Sequence, residues 1–162
     1  MSSNTAELAV RESALIKDVH AQVSICPQPD CYKTTHRFAN GMYCRTMWMP
    51  AGHLVIGARH LHEHVVVMLH GEMLIYTEDG GTVSFKAGDV FTYPKGAQRA
   101  IYSVTDAEMM AVHRLPDPNE RDLDKIWDAV VDTNGLQRLY DSNNRVLDPV
   151  LTDAAFTQLE QE

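Results

Sequence analysis

From Asn40 onward the apolar residues recur at every second position for about seventy residues, interrupted only by short turns rich in Gly, Pro and Asp. Successive side chains on a strand face opposite sides, so a period of two held this long commits the segment to β-structure. The expected strands are 42–49, 53–60, 63–69, 72–78, 82–86, 89–93, 98–104 and 108–115. They are separated by Pro50-Ala-Gly52, Gly71, Asp79-Gly80-Gly81, Ala87-Gly88-Asp89, Pro94-Lys-Gly96 and Thr105-Asp106, all turn-forming compositions. Many short strands at even spacing close into a sandwich or barrel. The fold class expected is therefore an all-β antiparallel sandwich or barrel, with helices only outside it.

The flanks read differently. Asn4 with Glu7 resembles a capping box, and Leu8, Leu15 and Val19 follow at helical spacing, which predicts an amphipathic helix over 5–20, with Pro27 and Pro29 ending it. Residues 24–36 read as an irregular arm. Beyond Pro116 and Pro118, Leu123, Ile126, Trp127 and Val130 share one helical face, with Gly135 as a stop. A shorter helix is expected over 152–160, docking through Ala155, Phe156 and Leu159. The organisation expected is an N-terminal helix and arm (1–39), a barrel (40–116) and an acidic helical extension (117–162).

Charge narrows the partners. The chain of 162 residues carries a formal net charge of −8. Residues 117–162 hold eleven Asp and Glu against four Lys and Arg, so −7 of that total belongs to the C-terminal extension. A chain this acidic is not expected to bind nucleic acid, which needs Lys and Arg against phosphate. It has no apolar stretch of the ~20 residues needed to span a membrane and no signal-peptide pattern, which predicts a cytoplasmic protein. Its three cysteines, Cys26, Cys31 and Cys44, are odd in number and lack CxxC spacing, so reduced thiols are expected. Cys26 and Cys31 flank Pro-Gln-Pro-Asp and are a secondary candidate for a small metal clip.

Three of the eight histidines, His60, His62 and His64, stand at alternate positions at the head of a Val-rich run. On one strand face they present neutral nitrogen donors together, the commonest way proteins hold a first-row transition metal. The alternative is a merely polar, solvent-facing strand side. On a straight strand His60 and His64 would be ~13 Å apart, too far to share an ion, so a shared site requires a bend over residues 61–63. His20, His36, His53 and His70 are expected to be structural or solvent-exposed.

These residues, with their glycines, resemble the cupin superfamily of RmlC-like jelly rolls. Gly71 anchors the first cupin motif, and Gly88 with Pro94-Lys-Gly96 matches the second with its internal spacing. Counting from those anchors, the first motif's Glu falls on His64, its second His on His60 and its first His on Ala58. The second motif's His falls on Arg99. The resemblance implies a barrel over roughly residues 40–115 and a divalent transition metal (Zn, Fe, Mn or Ni) inside it. Three readings follow. His60 and His64 bind across a bend with His113 from the last strand; or His62 replaces the missing first His; or no metal binds, because Arg99 repels it. They are preferred in that order. The runs Gly41-Met-Tyr-Cys-Arg-Thr46 and Thr77-Glu-Asp-Gly-Gly81 are also similar to small cupin-like proteins carried by tailed bacteriophages, which would place the protein in the host cytoplasm.

Arg99 offers a planar fork to a carboxylate or phosphate, or else pairs with Glu72 or Glu108 at the barrel mouth. Arg45, Tyr93 and Tyr102 are further expected lining residues, and Trp48 and Tyr76 are alternatives on the same argument. Two functions stay open. One is a metal-dependent enzyme acting on a small anionic substrate; no general base stands out, Glu63 being placed opposite the histidines. The other is a non-catalytic module that binds a ligand or builds an oligomer. Both faces of the 63–69 strand are apolar, so the outward one needs a cover, and a homodimer is the preferred one.

Overall fold

The computed structural model describes residues 16, 18–25, 28, 32–77, 81–133, 139–140, 146–147 and 150–152. Its strands are β1 (Lys33–Ala39), β2 (Met42–Met49), β3 (His53–Ile56), β4 (His64–His70), β5 (Glu72–Thr77), β6 (Thr82–Lys86), β7 (Val90–Tyr93), β8 (Arg99–Ser103), β9 (Ala107–Arg114), β10 (Leu139–Tyr140), β11 (Val146–Leu147) and β12 (Val150–Thr152). Helix α1 covers 18–24 and helix α2 covers Leu123–Val130. Two five-stranded sheets, ordered β1-β2-β9-β4-β7 and β12-β3-β8-β5-β6, form the jelly roll, with every pairing antiparallel. The small pair β10–β11 stands apart from both sheets.

Alternation along the strands decides what faces inward. Met47 and Met49 on β2, Val66 and Met68 on β4, Met73 and Ile75 on β5, and Ile101 and Ser103 on β8 are all buried. Most of these, with Val55 and Ala107, make the core cluster that fills one end of the barrel. Ser103 is the polar member of that set, and its hydroxyl is fully engaged. It accepts from the His53 N–H at 3.0 Å and donates to the Pro50 carbonyl at 2.5 Å, tying β8 to the β2–β3 turn.

The other end is closed by α2. The Asp122 carboxylate caps it by accepting from the N–H groups of Asp124 and Lys125, and Ile126 and Val130 are its buried face. They pack with Tyr43, Ala58, Leu115 and Val131 in a second core cluster. The space between the two clusters is where a cavity is left.

Four expectations change here. The stretch taken as an irregular arm contains β1, whose burial alternates strictly, with Thr34, His36 and Phe38 facing in. The period was present but disguised, because two of its three inward residues are polar. Helix α2 ends at the Val131 cap instead of running on to Gly135, because Val131 leaves the helix to form a bridge with His60. Thr152, placed in a terminal helix, belongs to β12, which adds to the β3 edge. Both sheets therefore take an edge strand from outside the 40–115 span, and residues 153–160 of that helix lie outside the described residues. Helix α1 continues past residue 20 to 24, and the rest of the helix expected over 5–20 falls mostly outside them too. Val23 of α1 packs on Ile56, with Leu54 and Ala100 beside it, so this helix covers the outer face of β3 and β8.

Candidate metal centre

The chain does not run straight from His60 to His64. β3 ends at Ile56, and residues 61–62 form a bend before β4 begins at His64. The bend folds the two rings against each other, with centroids 4.1 Å apart. His113 comes from β9, the neighbour of β4, beside the Val65–Val112 pair. Its ring lies 4.3 Å from that of His64 and 5.5 Å from that of His60. The three residues can each direct one nitrogen so that all three lie within 4.8 Å of one another.

His60 is not on a regular strand, yet its backbone is fixed from two sides. Its N–H donates to the Ala97 carbonyl at 3.1 Å, and its own carbonyl accepts from the Gly96 N–H at 2.8 Å. Residues 94–97 form the turn that makes this geometry: the Ala97 N–H reaches the Pro94 carbonyl, and Gly96 at the third position has φ +82°. That is a type II turn, which favours glycine there. On the other side, the Leu61 N–H donates to Val130 and the Asp132 N–H donates to Arg59, which braces the segment against the exit of α2.

The cluster is neutral and mostly buried. His64 is 5% exposed and His113 6%, while His60 is partly buried. Burial is the main cause that depresses all three: His60 well below its ordinary value, His64 to about 4 and His113 to about 3. For His60 the neighbouring His64 and His113 add to this, followed by Arg45 and Arg99. The His64 Nδ1 lies 3.5 Å from the His62 carbonyl, a contact that favours the Nδ1–H tautomer and leaves Nε2 with the lone pair. The Nδ1 of His60 is buried without a hydrogen-bond partner. Three uncharged imidazoles, one with an orphaned nitrogen, are costly to bury as they stand and suit a divalent ion.

The depressed values make stability depend on pH with a definite sign. Above about pH 6.5 neither the folded nor the unfolded chain protonates these rings. Below it the unfolded chain takes up protons that the fold refuses, so stability falls until pH passes the folded values near 4 and 3. Each group contributes a slope of about 1.4 kcal/mol per pH unit below about pH 6.5, or about 2 kcal/mol down to pH 5, so up to roughly 6 kcal/mol is expected to be lost by the three together between about pH 7 and pH 5. Urea denaturation of metal-free protein across that range measures it. A flat profile would show that the rings are solvated.

A cavity of about 70 Å³ opens beside the triad. Arg45, Tyr93, Arg99 and Trp127 line it with the three histidines, and Met47, Val55, Val66, Ile101 and Met109 supply its apolar wall. The Arg99 guanidinium lies 4.5 Å from the Tyr93 ring centre, and that of Arg45 lies 5.9 Å from Trp127. Glu72 is engaged elsewhere, with Ser84 and Lys86. A second, smaller cavity lies on the α2 side of the triad, where His36, Tyr43 and Leu123 meet His60 and His113.

The structure thus brings together His60, His64, His113, Arg45, Arg99 and Tyr93. It leaves out two residues proposed with them. His62 is exposed in the bend, because the chain turning that joins His60 to His64 swings the residue between them outward. Tyr102 has the opposite parity on β8 to Arg99 and Ile101 and is not among the cavity-lining residues. Two of the histidines expected to be structural or solvent-exposed are structural. His20 is 3% exposed beside Ser24, and half-buried His36 shares a 2.8 Å hydrogen bond with the Tyr43 hydroxyl. Trp127, read only as a helix-packing residue, also lines the cavity. Cys26 and Cys31 lie outside the described residues.

Residues 39–109 match the family model of the EutQ-like cupin domain. No curated protein matches the chain. Among solved structures, an RmlC-like cupin from Shewanella frigidimarina is similar at 21% identity and TM-score 0.47, covering 58% of this chain and 82% of that one. A putative ethanolamine utilization protein Q from Salmonella typhimurium is similar at 22% identity and TM-score 0.45, covering 54% and 72%. The DMSP lyase DddQ from Ruegeria pomeroyi is similar at 17% identity and TM-score 0.47, covering 56% and 54%. The segment that matches the cupin domain model thus forms the body of a two-sheet antiparallel jelly roll, the fold class that the sequence resemblance implied.

Proposed function

We propose that this protein is a metal-binding cupin that holds one divalent transition metal on His60, His64 and His113 and accepts a small anionic ligand beside it. The observation that carries this reading is the triad itself: three neutral imidazoles, His64 and His113 buried and His60 partly so, with donor atoms within 4.8 Å of one another. A bound ion would supply Lewis-acid polarisation or, were it iron, oxygen chemistry. The chain's own residues do the rest. Neutral histidines leave the ion its full positive charge. The Arg99 fork offers in-plane donors to an anion, and the apolar wall limits water. Glu63 is exposed, and among the described residues no carboxylate lines the cavity. Zn, Fe, Mn and Ni all accept imidazole donors.

The test is elemental analysis of protein purified without a His-tag, before and after dialysis against zinc or cobalt. One ion per chain is expected. Protein that stays metal-free after dialysis would overturn the reading.

A second reading, a non-catalytic module assembled from copies, is favoured by one observation. The outer face of β4 and β7 exposes Val65, Leu69 and Val90, the last at 63%. Among the described residues α1 covers the other sheet instead. A homodimer through this face is the proposed partner arrangement. Cytoplasmic residence goes with the half-buried free thiol of Cys44.

A further inference from the structure

One guanidinium fork and an apolar wall define what the cavity beside the triad can hold. Arg99 makes no ion pair among the described residues, and its Nε is buried without a hydrogen-bond partner. The Tyr93 ring, 4.5 Å away, takes one face of the guanidinium and leaves the in-plane N–H groups for another acceptor. Arg45 lines the cavity too, but it is engaged elsewhere in the chain, so Arg99 is the fork that the cavity offers. The next residue of the same parity on β8 is Ile101, roughly 7 Å along the strand, and it pairs with Val55 of β3. On the facing sheet Met47 of β2 pairs with Met109 of β9. All four apolar side chains line the cavity with Arg99.

A buried guanidinium donor without an acceptor is costly, and a carboxylate satisfies it well, because its two oxygens meet Nε and a neighbouring N–H together. The rest of the ligand then meets Ile101, Val55, Met47 and Met109, which donate no hydrogen bond. The further oxygens of a phosphate, or a second carboxylate, would be buried against them unsatisfied. An alkyl tail instead gains about fourfold in affinity for each methylene it buries there. The cavity, at about 70 Å³, is about half the size of one that takes benzene, which limits the tail to a few carbons. We infer that the ligand is a short-chain monocarboxylate of about two to four carbons, its carboxylate on Arg99 and its alkyl tail against the Ile101–Val55 and Met47–Met109 pairs.

This names the anion of the proposed function and rests on that reading, but it does not require the metal. The experiment therefore uses both metal-loaded and chelator-treated protein. Isothermal titration compares acetate, propionate, butyrate and hexanoate with propionamide, succinate and inorganic phosphate, on the wild type, Arg99→Met, Arg99→Lys and Ile101→Ala. Propionate should bind the wild type at least about tenfold more tightly than its neutral amide, with or without metal, since one charge-assisted contact is worth about tenfold to a hundredfold. Affinity should rise from acetate by up to about fourfold per carbon, peak by butyrate and fall at hexanoate. Arg99→Met should bring propionate and propionamide to similar affinity, and Arg99→Lys, which keeps the charge but not the fork, should retain part of the difference. Ile101→Ala should move the optimum to a longer chain, a gain that a lost fold cannot give. Tighter binding of succinate or phosphate than of any monocarboxylate would overturn the inference and leave the anion half of the proposed function standing. Binding by none of these anions would overturn both. A preference for propionate over its amide that persists in Arg99→Met, or that needs the metal, would assign the carboxylate to the ion and overturn the inference. Melting curves of each variant separate a lost contact from a lost fold.

Discussion

Alanine at both His60 and His64 is expected to abolish stoichiometric binding of zinc or cobalt, while His36→Ala leaves it intact. The triad offers one nitrogen from each of three residues, and the double replacement leaves His113 alone. Removing even an outer-shell partner of a metal ligand typically lowers affinity 10–100-fold, so losing two donors directly should exceed roughly 100-fold. His36 is the informative control. It lines the smaller cavity with His60 and His113, but its Nδ1 shares a hydrogen bond with the Tyr43 hydroxyl, and it is not part of the triad. Calorimetric titration with metal-free protein, paired with elemental analysis, checks the result. Unchanged stoichiometry in the double variant would move the site elsewhere.

Gly71→Ala is expected to be the most damaging single methyl group that can be added to the turns of this barrel. Gly71 joins β4 in one sheet to β5 in the other at φ +74°. A Cβ there would stand 2.2 Å from the Asp106 carbonyl oxygen and 2.8 Å from the Ala107 Cα, both backbone atoms that cannot rotate away. The left-handed conformation costs about 1–2 kcal/mol for a residue with a side chain, and forced repacking adds about 1–3. A loss of roughly 2–5 kcal/mol, or about 4–20 °C in melting temperature, follows for a domain of this size. Gly88→Ala supplies the comparison. Its φ is +95°, but nothing lies within 4 Å of the added carbon, so only the conformational cost applies. Urea and thermal denaturation of the two variants should separate them by at least about 1 kcal/mol. Equal losses would show that conformation, not close approach, explains the glycine at position 71.

The strand pattern was legible because the inward residues of β2, β4, β5 and β8 are nearly all apolar and their turns carry Gly, Pro or Asp. Strands 42–49 and 82–86 appear with the boundaries that the alternation predicts. The inward direction of His113 followed from its place on the less polar side of β9. His62 failed for an instructive reason. Parity counts only along a continuous strand, and the bend that brings His60 to His64 interrupts the count. Tyr102 failed by parity itself, since the alternation that turns Arg99 and Ile101 inward turns Tyr102 away. Trp127 belongs to a helix whose docking angle no local period encodes. Val131 meets His60 across about seventy residues of intervening sequence, a separation that leaves no trace in local spacing.

The brace around His60 also has a consequence in time. During synthesis from the N-terminus, His60 and His64 emerge early but face no third ring until His113 follows. The backbone that steadies His60 is complete only when Gly96, Ala97 and then Val131 have arrived. A nascent chain therefore displays two histidines in an unformed loop through much of its elongation. The grip on an ion would be among the last properties the molecule acquires, and among the first lost when α2 detaches.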